Sequence, residues 1–139
     1  MRTVITDFSK HVEAIRNVRI EVFVNEQQIP YELEFDDQDE TCTHAVVFDD
    51  ENAVATGRLN MGQDGRIGRI AVLKSHRRRG LGSEIMRALE LEAIKLNAKQ
   101  IWFHAQVRAV EFYQSLGYTT EGTEFPEDGI PHVVMRKQL

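Results

Sequence analysis

The stretch from Arg69 to Met86 constrains the fold more than any other part of this 139-residue chain. The apolar run Ile70–Leu73 predicts a strand, and it leads into a basic turn that contains two glycines. A helix is then predicted to begin at Leu81 or Gly82 and to extend to about Asn97, because apolar residues recur there at helical spacing. A strand, a basic turn and a helix N-terminus therefore meet at one point of the chain.

That turn has the properties of a polyanion site. The first turn of a helix leaves backbone N–H groups without partners, and the helix dipole adds partial positive charge there. Neither a P-loop, which needs Lys and Ser/Thr after its last glycine, nor a dinucleotide fingerprint, which needs a glycine where Ile85 stands, is present. We therefore predict a pyrophosphate site. Its residues are Arg77, Arg78, Arg79, Gly80, Leu81, Gly82 and Ser83.

Two stretches together resemble a known family. Arg77-x-x-Gly80-x-Gly82 is similar to the acetyl-CoA pyrophosphate loop of the GCN5-related N-acetyltransferase (GNAT) superfamily. The stretch Ala109–Tyr118 resembles the second signature of that family, a short helix that carries Phe-Tyr and ends at Leu-Gly-Tyr. The segments 19–27 and 125–132 resemble a small bacterial branch of acetyltransferases whose substrate is unknown.

The resemblance also implies the fold. The family order, β-α-α-β-β-β-α-β-α-β-β, agrees with the elements that the sequence pattern predicts over essentially the whole chain. Residues 1–139 are therefore expected to form one N-acetyltransferase domain of the α/β class, with a mixed central sheet and helices on both faces. The predicted strands are 3–6, 43–48, 53–61, 67–73, 101–105, 118–123 and 132–137, and the main helices are 9–25, 81–97 and 108–116.

Several residue roles follow from the resemblance alone. The pantetheine arm of acetyl-CoA is expected to pair with the backbone of a strand, here Ile70, Ala71 and Val72. Tyr113 stands where the family places a tyrosine whose hydroxyl reaches the sulfur, and Gln106 stands where many relatives have an asparagine that contacts the cofactor.

The general base and the acceptor site are less well determined by the sequence. His44 and His104 are candidate bases, because imidazole is the side chain that ionises nearest neutral pH. Glu26, Glu32 and Glu34 are carboxylate alternatives and candidate substrate-binding residues. The six carboxylates between residues 32 and 40 either attract a cationic amine or form a solvated loop that balances nearby arginines, and both interpretations stay open.

The expected reaction is direct transfer of an acetyl group from acetyl-CoA to a primary amine in a ternary complex. Cys42 precedes a predicted strand, where cysteine is usually a small buried apolar group, so no acetyl-enzyme is expected. A small cationic amine is favoured over a protein amine, and acyl chains longer than acetyl stay open. The alternative is a non-catalytic module that binds or senses acyl-CoA.

Composition and residue spacing argue against several other classes of protein. A net charge of −5 without a broad basic face argues against a nucleic-acid partner. No apolar run approaches the ~20 residues of a membrane span, and one cysteine without a signal sequence indicates a cytoplasmic protein. Cysteines and histidines lack metal-ligand spacing, so no metal is expected. The sequence does not determine the oligomeric state, but many members of the family pair through their C-terminal strands, and the apolar run 133–135 offers an edge for such a homodimer.

Overall fold

A computed structural model describes residues 1–139, and its core is one seven-stranded sheet in the order β1-β2-β3-β4-β5-β7-β6. The strands are β1 (Arg2–Asp7), β2 (Thr43–Asp49), β3 (Asn52–Asn60), β4 (Arg66–Val72), β5 (Gln100–Gln106), β6 (Thr119–Glu127) and β7 (Ile130–Gln138). The helices are α1 (Val12–Arg19), α2 (Tyr31–Glu34), α3 (Leu81–Lys95) and α4 (Val110–Ser115). The predicted α/β class and the predicted order of elements are both confirmed.

The first predicted helix changes its winding halfway along. Ile15, Val18 and Val22 recur at helical spacing and are buried against the sheet, which explains why this segment is helical. After α1 the chain continues as a π-helix, Ile20–Glu26, in which Gln27 N–H donates to the carbonyl of Val22. The wider turns bring Phe23 and the residues after it to the edge of a cleft in the sheet.

Helices cover both faces of the sheet. In β5, Ile101, Phe103 and Ala105 alternate with less buried neighbours and join the main core beneath α3. Trp102 and His104 point to the opposite face. One face of β5 therefore packs into the core, and the other face carries the polar side chains of β5 to the cleft.

The sheet is split where β4 meets β5. These strands are parallel and are paired only at Arg66 with Trp102, whereas the other neighbours are antiparallel and paired along most of their length. The register of β3 and β4 shifts between Thr56 and Arg58, and Arg69 has a φ of +54°, which marks a bulge in β4. Beyond Trp102 the strands therefore diverge, and the divergence opens a cleft.

The position of β7 corrects one expectation. Its residues 133–135 pair with β5 on one side, and β7 also pairs with β6 on the other, so this apolar run is internal rather than a free edge. The prediction of an exposed edge there was wrong, because the tight turn at Asp128 and Gly129 folds β6 back onto β7. The outer strand on this side is β6.

None of the helices combines the length and the apolar character that crossing a membrane would require.

Candidate functional site

A cleft opens between the diverging strands. It has a volume of about 250 Å³ and takes its walls from β4, β5, the end of the π-helix, α4 and the β6–β7 turn. Among the residues predicted from the sequence, Ile70, His104, Gln106 and Tyr113 line it. The other predicted residues do not, which are Ala71, Val72, the loop residues 77–83, Glu26, Glu32, Glu34 and His44.

One wall of the cleft is unpaired backbone. β4 is paired with β3 as far as Val72, but its other edge has lost β5 after Arg66. The N–H and C=O groups on that edge are therefore available to an extended ligand that adds to the sheet like a strand. Ala71 is only 2% exposed and packs on Val18 and Phe23, so of the three residues expected to pair with pantetheine, Ile70 is the one that lines the cleft.

The loop between β4 and α3 exposes the helix N-terminus. Arg78 and Gly80 have φ values of +64° and +78°, and no side chain caps α3. The N–H groups of Leu81, Gly82 and Ser83 belong to the first helical turn, which has no earlier carbonyls to bond to. Arg78 and Arg79 are exposed and form no ion pair, so their charge adds to the positive potential of this turn.

Arg77 has a different environment from its two neighbours. Both of its terminal nitrogens donate to the carboxylate of Glu26 at 2.6 Å, and Nε donates to the carbonyl of Val72 at 3.0 Å. Hydrogen bonding from Arg77 holds the pKa of Glu26 below its usual range. The pair joins the end of the π-helix to the end of β4, so Arg77 and Glu26 fix the entrance to the loop.

Tyr113 projects from α4 into the cleft. Its ring packs on Phe103 at a centroid distance of 4.6 Å and is 9% exposed. Its hydroxyl has no hydrogen-bond partner in the protein, and no buried side-chain polar atom lacks one, so this oxygen is open to the cleft. Burial raises the pKa of Tyr113 to about 12, so the phenol keeps its proton at neutral pH.

The opposite side of the cleft carries a group of ionisable side chains. His104 Nδ1 lies 3.0 Å from Glu127 Oε1 and 3.3 Å from Arg66 Nη2. The other oxygen of Glu127 lies 3.5 Å from His132 Nε2, and the ring of Phe125 packs on both imidazoles. Of the predicted bases, His104 is the one that the structure brings to the cleft.

Sequence reasoning did not single out Glu127 or Asp128 as cleft residues, although both line it. A signal was present in the sequence, because Asp128-Gly129 between two strand-like runs predicts a two-residue hairpin turn. That hairpin pairs Glu127 with Ile130 and Phe125 with His132, and it places the turn beside β5. The carboxylates at the cleft therefore come from this hairpin rather than from the acidic segment.

Three of the six carboxylates of the acidic segment are paired with arginines. Arg19 bonds Glu34 at 2.9 Å and Asp39 at 2.7 Å. Arg58 bonds Asp39 and Asp36, both at 2.8 Å, and Arg69 lies 3.2 Å from Glu34. Hydrogen bonds from Arg58 lower the pKa of Asp36 to about 2. These carboxylates hold the loop to the sheet and are not free to bind a cation.

Replacing Asp39 with asparagine is expected to lower the free energy of unfolding by about 2 kcal/mol, because Asp39 accepts charge-assisted bonds from two buried arginines. Burial opposes ionisation of Asp39, but those bonds outweigh it and keep its pKa below the usual value. Urea denaturation measures the change, with Glu40→Gln, the exposed neighbour, as the control. Equal stability of the two variants would contradict this account.

Of the remaining predicted residues, Gln106 lines the cleft and the others lie away from it. His44 is 1% exposed and bonds the carbonyl of Asp39 at 2.9 Å, and burial lowers its pKa, so it is a neutral interior imidazole. Cys42 is 4% exposed, and burial raises the pKa of its thiol. Glu32 is exposed on α2. Gln106 lines the cleft and bonds Gln27 and Arg108.

Comparison with known proteins gives consistent matches. The sequence model of the acetyltransferase (GNAT) domain matches residues 10–139. The Bacillus subtilis protein named uncharacterized N-acetyltransferase YjcF is 42% identical over 139 residues, which are 99% of each chain. The crystal structure of an acyl-CoA N-acyltransferase from Pseudomonas aeruginosa superposes with a TM-score of 0.88 at 27% identity, covering 98% of both chains. An aminoglycoside 6'-N-acetyltransferase complexed with coenzyme A shares the fold, with a TM-score of 0.74 at 14% identity over 99% of this chain and 97% of that one.

Proposed function

The chain belongs to the GNAT family of acyl-CoA-dependent N-acetyltransferases, and we propose that it transfers acetyl from acetyl-CoA directly to a small primary amine in a ternary complex. The observation that carries the proposal is the arrangement of one cleft. The free edge of β4 and the hydroxyl of Tyr113 line it together with the histidine–carboxylate group of the hairpin. A thioester bound in this cleft would lie beside the free edge of β4 and the hydroxyl of Tyr113, and an amine would lie beside the histidine and the carboxylate.

Acetyl-CoA, the acetyl donor, is bound by backbone groups and by the positive charge of two arginines. The free edge of β4 pairs with the amides of the pantetheine arm, and the first-turn N–H groups of α3 bind the pyrophosphate with Arg78 and Arg79. Arg77 contributes by holding the loop to β4, since its own donors are engaged by Glu26 and Val72. Acetyl-CoA supplies the activated acyl group when it is bound.

Tyr113 stabilises the sulfur that leaves. A thiol has a pKa of about 8.5, and burial raises that of Tyr113 to about 12, so complete proton transfer from the phenol to a thiolate is unfavourable. A hydrogen bond from the phenol is favourable, because its hydroxyl has no competing partner in the protein. Tyr113 therefore acts as a hydrogen-bond donor to the developing negative charge.

Replacing Tyr113 with phenylalanine is expected to lower kcat about tenfold, since one hydrogen bond to a charged group is lost. The affinity for acetyl-CoA is expected to stay the same, because the ring still packs on Phe103. Steady-state kinetics and calorimetry measure the two effects. Tyr118→Phe is the control, because Tyr118 lies in the same aromatic cluster but donates to Glu90 instead. A kcat equal to that of the unaltered enzyme would remove Tyr113 from the mechanism.

The acceptor enters beside His104. Glu127 and Asp128 give this side of the cleft a negative charge that attracts an ammonium ion. The cations of the lining are Arg66, beside His104, and Arg69, which is paired with Glu34 and Asp36. His104 Nε2 has no partner within the protein and is open to solvent, so it is the nitrogen that can take a proton from the amine. His44 is enclosed in the interior and does not reach the cleft.

The burial and the raised pKa of Cys42 support direct transfer of the acetyl group to the amine, without an acetyl-enzyme. The thiol of Cys42 is buried outside the cleft, and its raised pKa opposes formation of the thiolate that a ping-pong mechanism needs. The enzyme is thus expected to carry no acetyl group after incubation with acetyl-CoA alone, as mass spectrometry of the intact protein would measure.

The experiment that tests the function is release of free CoA thiol from acetyl-CoA, measured with a panel of amines. Thiol release that depends on one class of amine, together with the N-acetyl product by mass spectrometry, is the expected result. Binding of acetyl-CoA without amine-dependent release by any small amine or lysine peptide would instead make the chain a non-catalytic acyl-CoA-binding module.

A further inference from the structure

One ring nitrogen of His104 is contested by two groups of opposite hydrogen-bonding character. Nδ1 lies 3.0 Å from a carboxylate oxygen of Glu127 and 3.3 Å from Nη2 of Arg66. An ionised carboxylate only accepts hydrogen bonds, and a guanidinium only donates them. Nδ1 must therefore carry a proton to bond Glu127, and must lack one to bond Arg66.

The carboxylate has the advantage in this competition. Either bond is charge-assisted, on the acceptor side for Glu127 and on the donor side for Arg66, but the contact with Glu127 is shorter, 3.0 Å against 3.3 Å. The guanidinium of Arg66 is also stabilised elsewhere, since it lies over the ring of Trp102 at 5.1 Å. Nδ1 is therefore protonated in the neutral ring, and the lone pair stands on Nε2.

His132 does not compete with His104 for the role of base. Its Nδ1 lies 2.7 Å from the carbonyl of Ile130, which only accepts, so this nitrogen is protonated. Its Nε2 faces the second oxygen of Glu127 at 3.5 Å, and its side chain is 9% exposed. His132 is thus the less exposed ring, with its Nδ1 engaged by the carbonyl of Ile130, while His104, with a side chain 23% exposed, keeps a nitrogen open to the cleft.

We propose that Glu127 is a positioning residue that keeps the ring proton of His104 on Nδ1, although Arg66 favours the other tautomer. The lone pair is thereby on Nε2, which makes Nε2 the catalytic base. The inference rests on the proposed function. The proton of the acceptor ammonium moves to the lone pair on Nε2, and the electron pair left on the amine nitrogen forms the new bond to the acyl carbon. The bond from that carbon to sulfur breaks, and the leaving thiolate, next to Tyr113, takes the second proton that the nitrogen loses. The ring becomes imidazolium, and its Nδ1–H stays bonded to Glu127, which stabilises the added charge.

The tautomer can be read directly by long-range ¹H–¹⁵N correlation spectroscopy of the free protein, with the ring signals assigned by their loss in His104→Gln. The unaltered protein is expected to show protonated Nδ1 and unprotonated Nε2. In Glu127→Ala, Arg66 is left as the only partner of Nδ1, so the proton is expected to move to Nε2. In Arg66→Met, the original tautomer is expected to stay.

The kinetic consequence is a lower kcat at saturating amine. For Glu127→Ala we expect a decrease of about tenfold, which is part of the about 10²–10⁴-fold that a general base contributes. Glu121→Ala is the matched control, because Glu121 lies on the same strand but pairs with Arg136 away from the cleft. A merely structural role of Glu127 would lower stability without moving the ring proton.

The inference is overturned if the unaltered protein carries its proton on Nε2, if Glu127→Ala leaves the tautomer in place, or if kcat is unchanged in that variant. The two spectroscopic results are independent of donor binding, since the spectra are recorded without acetyl-CoA. Failure of the proposed function would appear separately, as absence of acetyl-CoA binding by the unaltered protein in calorimetry.

Discussion

Replacing His104 with alanine is expected to lower kcat by about 10³-fold, within the about 10²–10⁴-fold range of general acid–base catalysis. His104 is the more exposed of the two imidazoles in the cleft, 23% against 9%, and its Nε2 has no partner in the protein. The affinity for acetyl-CoA is expected to stay the same, because the proposed donor site lies on β4 and α3 rather than on this face of β5. Steady-state kinetics at saturating amine and calorimetry with acetyl-CoA measure the two quantities.

Two further measurements separate a chemical role from a structural one. Added imidazole is expected to restore part of the activity of His104→Ala, because the missing ring leaves a space open to solvent beside Glu127. His11→Ala is the control, since His11 bonds Thr6 far from the cleft and is expected to keep full activity. If His104→Ala turned over acetyl-CoA as fast as the unaltered enzyme, the base would have to be another group.

Replacing Gly82 with tryptophan is expected to weaken acetyl-CoA binding by about 100-fold or more. Gly82 lies in the first turn of α3, and a Cβ at this position would already meet the ring of Phe112 at 3.3 Å. An indole there covers the first-turn N–H groups, and the loss of two charge-assisted bonds of about 1.5 kcal/mol each corresponds to this factor. Calorimetric titration measures the affinity.

The control for this variant is Leu91→Trp. Leu91 is on the same helix, more than two turns further along, and is 55% exposed, so an indole there adds bulk without reaching the loop. Both variants are expected to unfold at similar urea concentrations, because Phe112 is 38% exposed and its ring can move aside. An unchanged affinity in Gly82→Trp would contradict the assignment of the loop as the pyrophosphate site.

Local sequence signals predicted the fold well. Family membership followed from the loop before α3 and from the Phe-Tyr helix, and the family model over residues 10–139 confirms it. The order of elements was also correct, because apolar spacing within a single helix or strand is a local property. Element ends were less accurate, since α1 gives way to a π-helix at Ile20, which apolar spacing alone does not reveal.

The features that the sequence did not reveal depend on contacts between residues that are far apart in the chain. The acidic segment was expected either to attract an amine or to balance nearby arginines. In the structure, its buried carboxylates bond Arg19 and Arg58, which come from different elements. The carboxylate beside His104 comes from Glu127 instead, more than twenty residues later in the chain, and only the pairing of β5 with β7 brings it there. No local pattern encodes that proximity.

The most direct test of the account is calorimetric titration of the purified protein with acetyl-CoA, CoA and NAD. All three ligands carry a pyrophosphate, but only the first two carry a pantetheine arm that can pair with the free edge of β4. Saturable binding of acetyl-CoA and CoA, without binding of NAD, is the predicted result. Failure of both CoA compounds to bind would contradict it, because the cleft and the loop before α3 would then have no donor to hold.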